Sequence, residues 1–147
     1  MRVNEMKIEK NGNRIVFVSL LAFYVLVVFG FTLMIREPSG KDSIQTEWLY
    51  GFNTFKNTVI IRDCLLNFLL FIPLGVLVSL VSDKYKIIRS LLFGLFVSET
   101  IECSQLIWQL GSFDVNDLLF NTLGTLIGGL IVVLVIEIRK LVKKKTI

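Results

Sequence analysis

The residues best equipped for chemistry are two carboxyls and an amide within the segment VSETIECSQL: Glu99, Glu102 and Gln105. No other charged residue occurs between positions 90 and 110. Carboxylates in such a setting can hold a hard divalent cation, carry a proton through a low-dielectric region, or hydrogen-bond a neighbouring helix. An ionised carboxylate at the centre of a membrane helix costs roughly 2.5–3.5 kcal/mol on insertion scales, so it should face a bundle interior or a wet cavity. Two such groups side by side are expected to retain at least one proton at neutral pH.

Further polar residues recur at helical spacing. At about 100° per residue, Ser98, Glu102, Gln105 and Gln109 fall within about 60° of arc, with Gly94 on the same side and Glu99 about 60° from Glu102. Asp117, Asn121, Gly124 and Gly128 form a second stripe, and Asp63 and Asn67 stand one turn apart, just after Arg62. Gly124-x-x-x-Gly128 also permits close helix approach, so packing and polarity select the same face.

These stripes need elements to carry them, and the hydropathy pattern supplies four. More than half of the 147 residues are apolar, and the charges cluster between long uncharged runs, the distribution of a membrane protein. A spanning helix needs about 20 apolar residues, and stretches 15–35, 64–82, 90–110 and 118–136 qualify. The expected fold is all-α: one domain, residues 1–147, built as a four-helix transmembrane bundle. The first stretch follows basic residues as a signal peptide would. Its apolar core exceeds the usual length, and Gly30-Phe31-Thr32-Leu33 offers no small-x-small cleavage site, so it reads as a retained span.

Twelve of the 16 basic residues lie in the amino-terminal tail, in the turn at Lys84, Lys86 and Arg89, and in the carboxyl tail with Lys143-Lys144-Lys145. The positive-inside rule then places both termini in the cytoplasm. Under that orientation Arg62, Asp63 and Asn67, the later part of the Glu102 stripe, and Asp114, Asp117 and Asn121 all meet in the outer half of the bilayer. The outer loop 36–62 opens with Pro38-Ser39-Gly40 and turns amphipathic, with Trp48, Tyr50, Phe52 and Phe55. It reads equally as an interfacial lid over the polar mouth or as a solvent loop.

Several chemistries are excluded. The chain has no histidine, so no His-based triad, HExxH helix or imidazole zinc site can form. Cys64 and Cys103 lie in separate spans and read as small apolar fillers rather than a disulfide. No Gly-rich phosphate loop occurs, and the lysine tail is explained by topology and anionic lipid rather than by nucleic acid.

The ordered set Asn67, Pro73-Leu74-Gly75, Ser98, Ile101-Glu102, Gln105, Ser112-Phe113-Asp114-Val115-Asn116-Asp117, Asn121-Thr122-Leu123-Gly124 and Gly128 resembles the VanZ-like membrane proteins. The resemblance covers about half the chain, roughly from Arg62 to Gly129. It implies a small multi-span protein of the bacterial cell membrane, in a family whose founding member is linked to low-level resistance to teicoplanin, a lipoglycopeptide-type antibiotic. Asn67, Pro73, Gly75, Glu102, Gln105, Asp114, Asp117 and Asn121 match the family's recurrent positions. Gly111 stands where members often carry Arg, Asn116 where they often carry Asp, and Glu99 at a commonly apolar position.

The candidate polar site is therefore Arg62, Asn67, Glu99, Glu102, Gln105, Asp114, Asp117 and Asn121. Three functions fit it. One is envelope protection, with a lipid-linked cell-wall precursor or a lipoglycopeptide as partner. Another is an enzyme on a lipid-linked phosphate, with Glu102, Asp114 and Asp117 around a divalent cation. The last is a small proton-coupled transporter component. Plainer readings stand beside them: Glu102 and Gln105 as an interhelical hydrogen-bond pair, Asp114 as a helix cap, and Pro73 with Gly75 as a kink. Oligomeric state is left open.

Overall fold

The computed structural model describes residues 2–34, 44–45, 58–110 and 113–145. Four helices dominate: α1 (Arg2–Met34), α2 (Thr58–Val81), α3 (Lys86–Ile107) and α4 (Val115–Lys145), with two short strands, β1 (Ile44–Gln45) and β2 (Phe113–Asp114). Each helix holds a segment long and apolar enough to cross a bilayer: Gly12–Met34, Ile61–Val81, Lys86–Ile107 and Val115–Lys145. The four-span all-α expectation is met. The aromatic cluster of the 36–62 loop lies outside the described residues. Its Ile44–Gln45 pairs in parallel with Phe113–Asp114.

The helices alternate in direction. Tyr24 donates its hydroxyl to the carbonyl of Leu70 (2.8 Å), and Arg14 pairs with Asp83 (3.5 Å), so α1 and α2 run antiparallel. Ser79 meets Ser90 (3.0 Å), and Ser90 donates to the carbonyl of Gly75 (3.1 Å), which fixes the α2–α3 hairpin. The start of α1's span, the α2–α3 turn and the lysine-rich end of α4 thus share one end of the bundle, called the basic end. The β1–β2 ladder marks the opposite end.

The most extensive interface joins α2 to α4, with α3 packed on both and α1 touching mainly α2. Glycine makes the α2–α4 contact possible. A Cβ on Gly124 would strike the carbonyl of Phe68, and one on Gly128 would strike the carbonyl of Ile72 and come within 2.8 Å of the Val76 nitrogen. Backbone therefore meets backbone, as small residues permit in membrane helices. An apolar cluster of Val28, Phe71, Leu74, Val97 and Ile101 ties α1 to this unit, while Ile15, Phe23, Leu26, Leu92 and Phe96 face outward. An apolar exterior around a partly polar interior is the arrangement lipid requires.

Both ends of α3 differ from the hydropathy reading. The helix begins at Lys86 rather than near Ser90, and the Lys86 ammonium donates to the carbonyl of Ser79 (2.6 Å) and to that of Ser82, satisfying carbonyls left open where α2 ends. It stops at Ile107, with Gln109 left-handed at φ 56. Leu110 N–H donates to Gln105 O (2.9 Å) and Gln109 N–H to Leu106 O (3.2 Å), the two bonds of a Schellman ending. Gln109 is thereby turned off the helix and exposed, so it leaves the stripe it was assigned to. α4 begins at Val115, three residues before the expected span, because Asp114 caps it. The Asp114 carboxylate accepts the backbone N–H of Asn116 (2.8 Å) and its side-chain amide (3.1 Å), satisfying one of the open donors of the first turn.

Candidate functional site

Near the end opposite the basic end, the bundle encloses a cavity of about 460 Å³. The sequence dictates its polarity. α3 contributes Glu102 and Gln105, α4 contributes Asp117 and Asn121, and α2 contributes Arg62 and Asn67, with Asp114 entering from the cap of α4. Seven of the eight expected site residues thus line one cavity. Each helix turns its polar stripe inward because the alternative is lipid, where an unpaired polar group is costly.

Glu99 is the exception. The buried residues of α3 are Ser90, Gly94, Val97, Ser98, Ile101, Glu102 and Gln105, an arc centred toward Ile101 and Gln105. Glu99 lies roughly 130° from that centre and is exposed on the outer face. The proton-sharing pair expected of Glu99 and Glu102 is therefore not formed: one carboxyl is buried, the other faces outward.

Within the cavity the partners are specific. Glu102, only 1% exposed, accepts the backbone N–H of Asp114 at 2.8 Å, which ties α3 to the start of α4. Asn121 donates its amide to the Ser98 hydroxyl (2.9 Å), and Gln105 donates its amide to the carbonyl of Thr32 (3.5 Å). The other ends of these two amides, Gln105 Oε1 and Asn121 Oδ1, are buried with no hydrogen-bond partner among the described residues. A buried acceptor left this way costs about 1–3 kcal/mol, so each is a place where a donor would be held. At the rim, the exposed Arg62 guanidinium bonds its neighbour Asp63 (3.2 Å).

The carboxylates do not assemble into a metal centre. Among the described residues, no group of three His, Cys, Asp or Glu side chains stands close enough to hold an ion. Glu102 meets the amide of Asp114 rather than its carboxylate, and the Asp114 carboxylate turns back onto Asn116. Of the trio expected to take a divalent cation, Glu102 thus braces the start of α4 and Asp114 caps it.

Sequence reasoning missed the part of the wall that α1 supplies. Phe31 and Thr32 line the cavity, as do Asp63, Cys64, Leu66 and Ile101. An all-apolar span offers no spacing to read. The one signal was Thr32, whose hydroxyl bonds back to Val28 O (2.8 Å) while its own carbonyl serves Gln105. Asp63 was visible as one turn from Asn67.

No solved structure matches the chain. Over 67 residues it is 31% identical to Protein VanZ of Enterococcus faecium, an alignment covering 46% of this chain and 42% of that protein; the match thus spans less than half of that relative's length. The VanZ/LLP1 family profile matches residues 16–136, reaching into all four spans and taking in every cavity-lining residue, and the chain belongs to that family.

Proposed function

We propose that this protein contributes to protection of the bacterial cell envelope, of the teicoplanin-resistance type, by holding a lipid-anchored ligand in the cavity between α1, α2, α3 and α4. Its basic end lies in the cytoplasm, following the bias of Lys and Arg, and the cavity opens toward the outer leaflet. The ligand is a lipid-linked cell-wall precursor or the lipoglycopeptide itself. The observation that carries this reading is the convergence of polar stripes from three helices on one cavity of about 460 Å³. A purely structural polar core would close on itself, each group satisfied by another; here two buried amide oxygens have no donor among the described residues.

The test is direct. Glu102→Gln and Asp117→Asn, expressed at wild-type levels, are each expected to lower protection against teicoplanin at least fourfold in inhibitory concentration. Unchanged protection in both variants would reduce the cavity to packing and remove the proposal. Cleavage of a lipid-linked phosphate gains less support, because no three acidic side chains among the described residues are grouped to hold a cation.

A further inference from the structure

The chemistry of the walls narrows what the cavity can hold. Four carboxyl side chains line it, those of Asp63, Glu102, Asp114 and Asp117, against one guanidinium, that of Arg62. That guanidinium is bonded to Asp63 at 3.2 Å, and acidic side chains outnumber basic ones four to one in the lining. An acidic lining alone would say little. The independent observation is the pair of orphan acceptors: Gln105 and Asn121 are each 1% exposed, and Gln105 Oε1 and Asn121 Oδ1 have no donor among the described residues. The orientation of the Gln105 amide follows from its partner, since the Thr32 carbonyl can only accept, so the nitrogen must face it and the oxygen must face away. What these two acceptors call for is a group that brings several hydrogen-bond donors, and the excess of acidic side chains in the lining favours one that is also a cation.

A primary ammonium meets that description: it carries three donors, no acceptor and one positive charge. A phosphate or carboxylate would present only acceptors to acceptors. The route of entry adds a second property. Phe31 of α1 and Leu66 of α2 line the same cavity and are 47% and 48% exposed, so the wall between these helices reaches the lipid-facing surface. A ligand entering there would leave an apolar tail among the acyl chains while its head reaches Gln105. We propose that the cavity is a binding site for the primary ammonium head of a membrane amphiphile, with Gln105 Oε1 and Asn121 Oδ1 as neutral acceptors and the surrounding carboxylates providing the field.

This rests on the cavity being the ligand site, but it is tested without any resistance readout. Cys64 lines the cavity and Cys103 lies outside it on α3, so full-length Cys103→Ser protein in dodecyl maltoside carries one thiol, placed in the wall. Its rates of modification by cationic 2-aminoethyl and anionic 2-sulfonatoethyl methanethiosulfonate are compared with those of N-acetylcysteine amide. The acidic walls should favour the cationic reagent at Cys64 by roughly tenfold beyond the free thiol's own preference. Dodecylamine should then slow the modification of Cys64 at least fivefold, dodecyl phosphate at the same concentration should not, and ethylamine should be much weaker than dodecylamine. Gln105→Leu should weaken the protection by dodecylamine while leaving the preference for the cationic reagent in place.

Equal preference for the two reagents, or equal protection by dodecyl phosphate, overturns the ammonium assignment whatever happens to Gln105→Leu. Equal protection by ethylamine overturns the amphiphile and makes the ligand a soluble amine. Loss of teicoplanin protection in Glu102→Gln with no cation preference at Cys64 would keep the site and discard this ligand. Cation preference and amine protection with unaltered teicoplanin protection would keep the ligand and discard the resistance role.

Discussion

Glu102 and Glu99 stand three positions apart on α3 yet meet opposite surroundings. Glu102 is held by the N–H of Asp114 inside the bundle, whereas Glu99 is exposed among Leu92, Leu95 and Phe96, about 20 Å along the helix from Lys86. In a bilayer that position faces acyl chains, so Glu99 opposes insertion and supplies nothing to the cavity. Glu99→Leu is expected to improve the apparent insertion free energy of α3 by about 3 kcal/mol. It should leave the modification rate of Cys64 unchanged. Glycosylation mapping of α3 in microsomes measures the first effect; no gain on insertion would mean that Glu99 finds a partner in the membrane. The identity of both carboxyls was legible in the sequence, but their division was not. A helical wheel gives the angle between two residues, and only the packed neighbours fix where the buried arc is centred.

At the scale of the element, what could be read was what lipid enforces. Four apolar runs gave four helices, and Asp114 before Val115 announced a cap that the structure contains. The end of α3 was not legible because Gln109 carries no stop signal. Glycine is the usual left-handed residue at this position, and a Gln there costs about 1 kcal/mol; the ending is held by its two backbone bonds and by the need to bring Asp114 back to Glu102. The contribution of α1 was hidden for the opposite reason, since its tie to the cavity runs through a backbone carbonyl that no side-chain pattern reports. The glycine stripe of α4 was legible and has a firm consequence. Gly128→Ala places a methyl against the carbonyl of Ile72 and is expected to destabilise the bundle by about 1–3 kcal/mol, read as a lower midpoint in SDS titration followed by circular dichroism. An unchanged midpoint would mean that α2 and α4 are not in backbone contact.

For the whole molecule, α2 and α4 form a parallel pair in direct contact, with α3 antiparallel to them and packed on both, and every functional group described lies toward one end. Pairing Ile44 with Phe113 closes a chain segment of roughly 70 residues, and closures of that length come late because the entropy must be met before the contact can return anything. The segment contains all of α2 and α3, so the ladder cannot close until both have crossed the membrane and brought the chain back to the side it left. The ladder is therefore expected to close late in biogenesis. With Ile44→Cys and Phe113→Cys introduced and both native cysteines replaced by serine, an oxidative cross-link should be absent from ribosome-stalled chains in which α3 has not inserted and should appear as insertion completes. A cross-link formed before α3 enters would show that the mouth is assembled ahead of the bundle; a late one means that a nascent chain acquires its cavity only as its last helices are added.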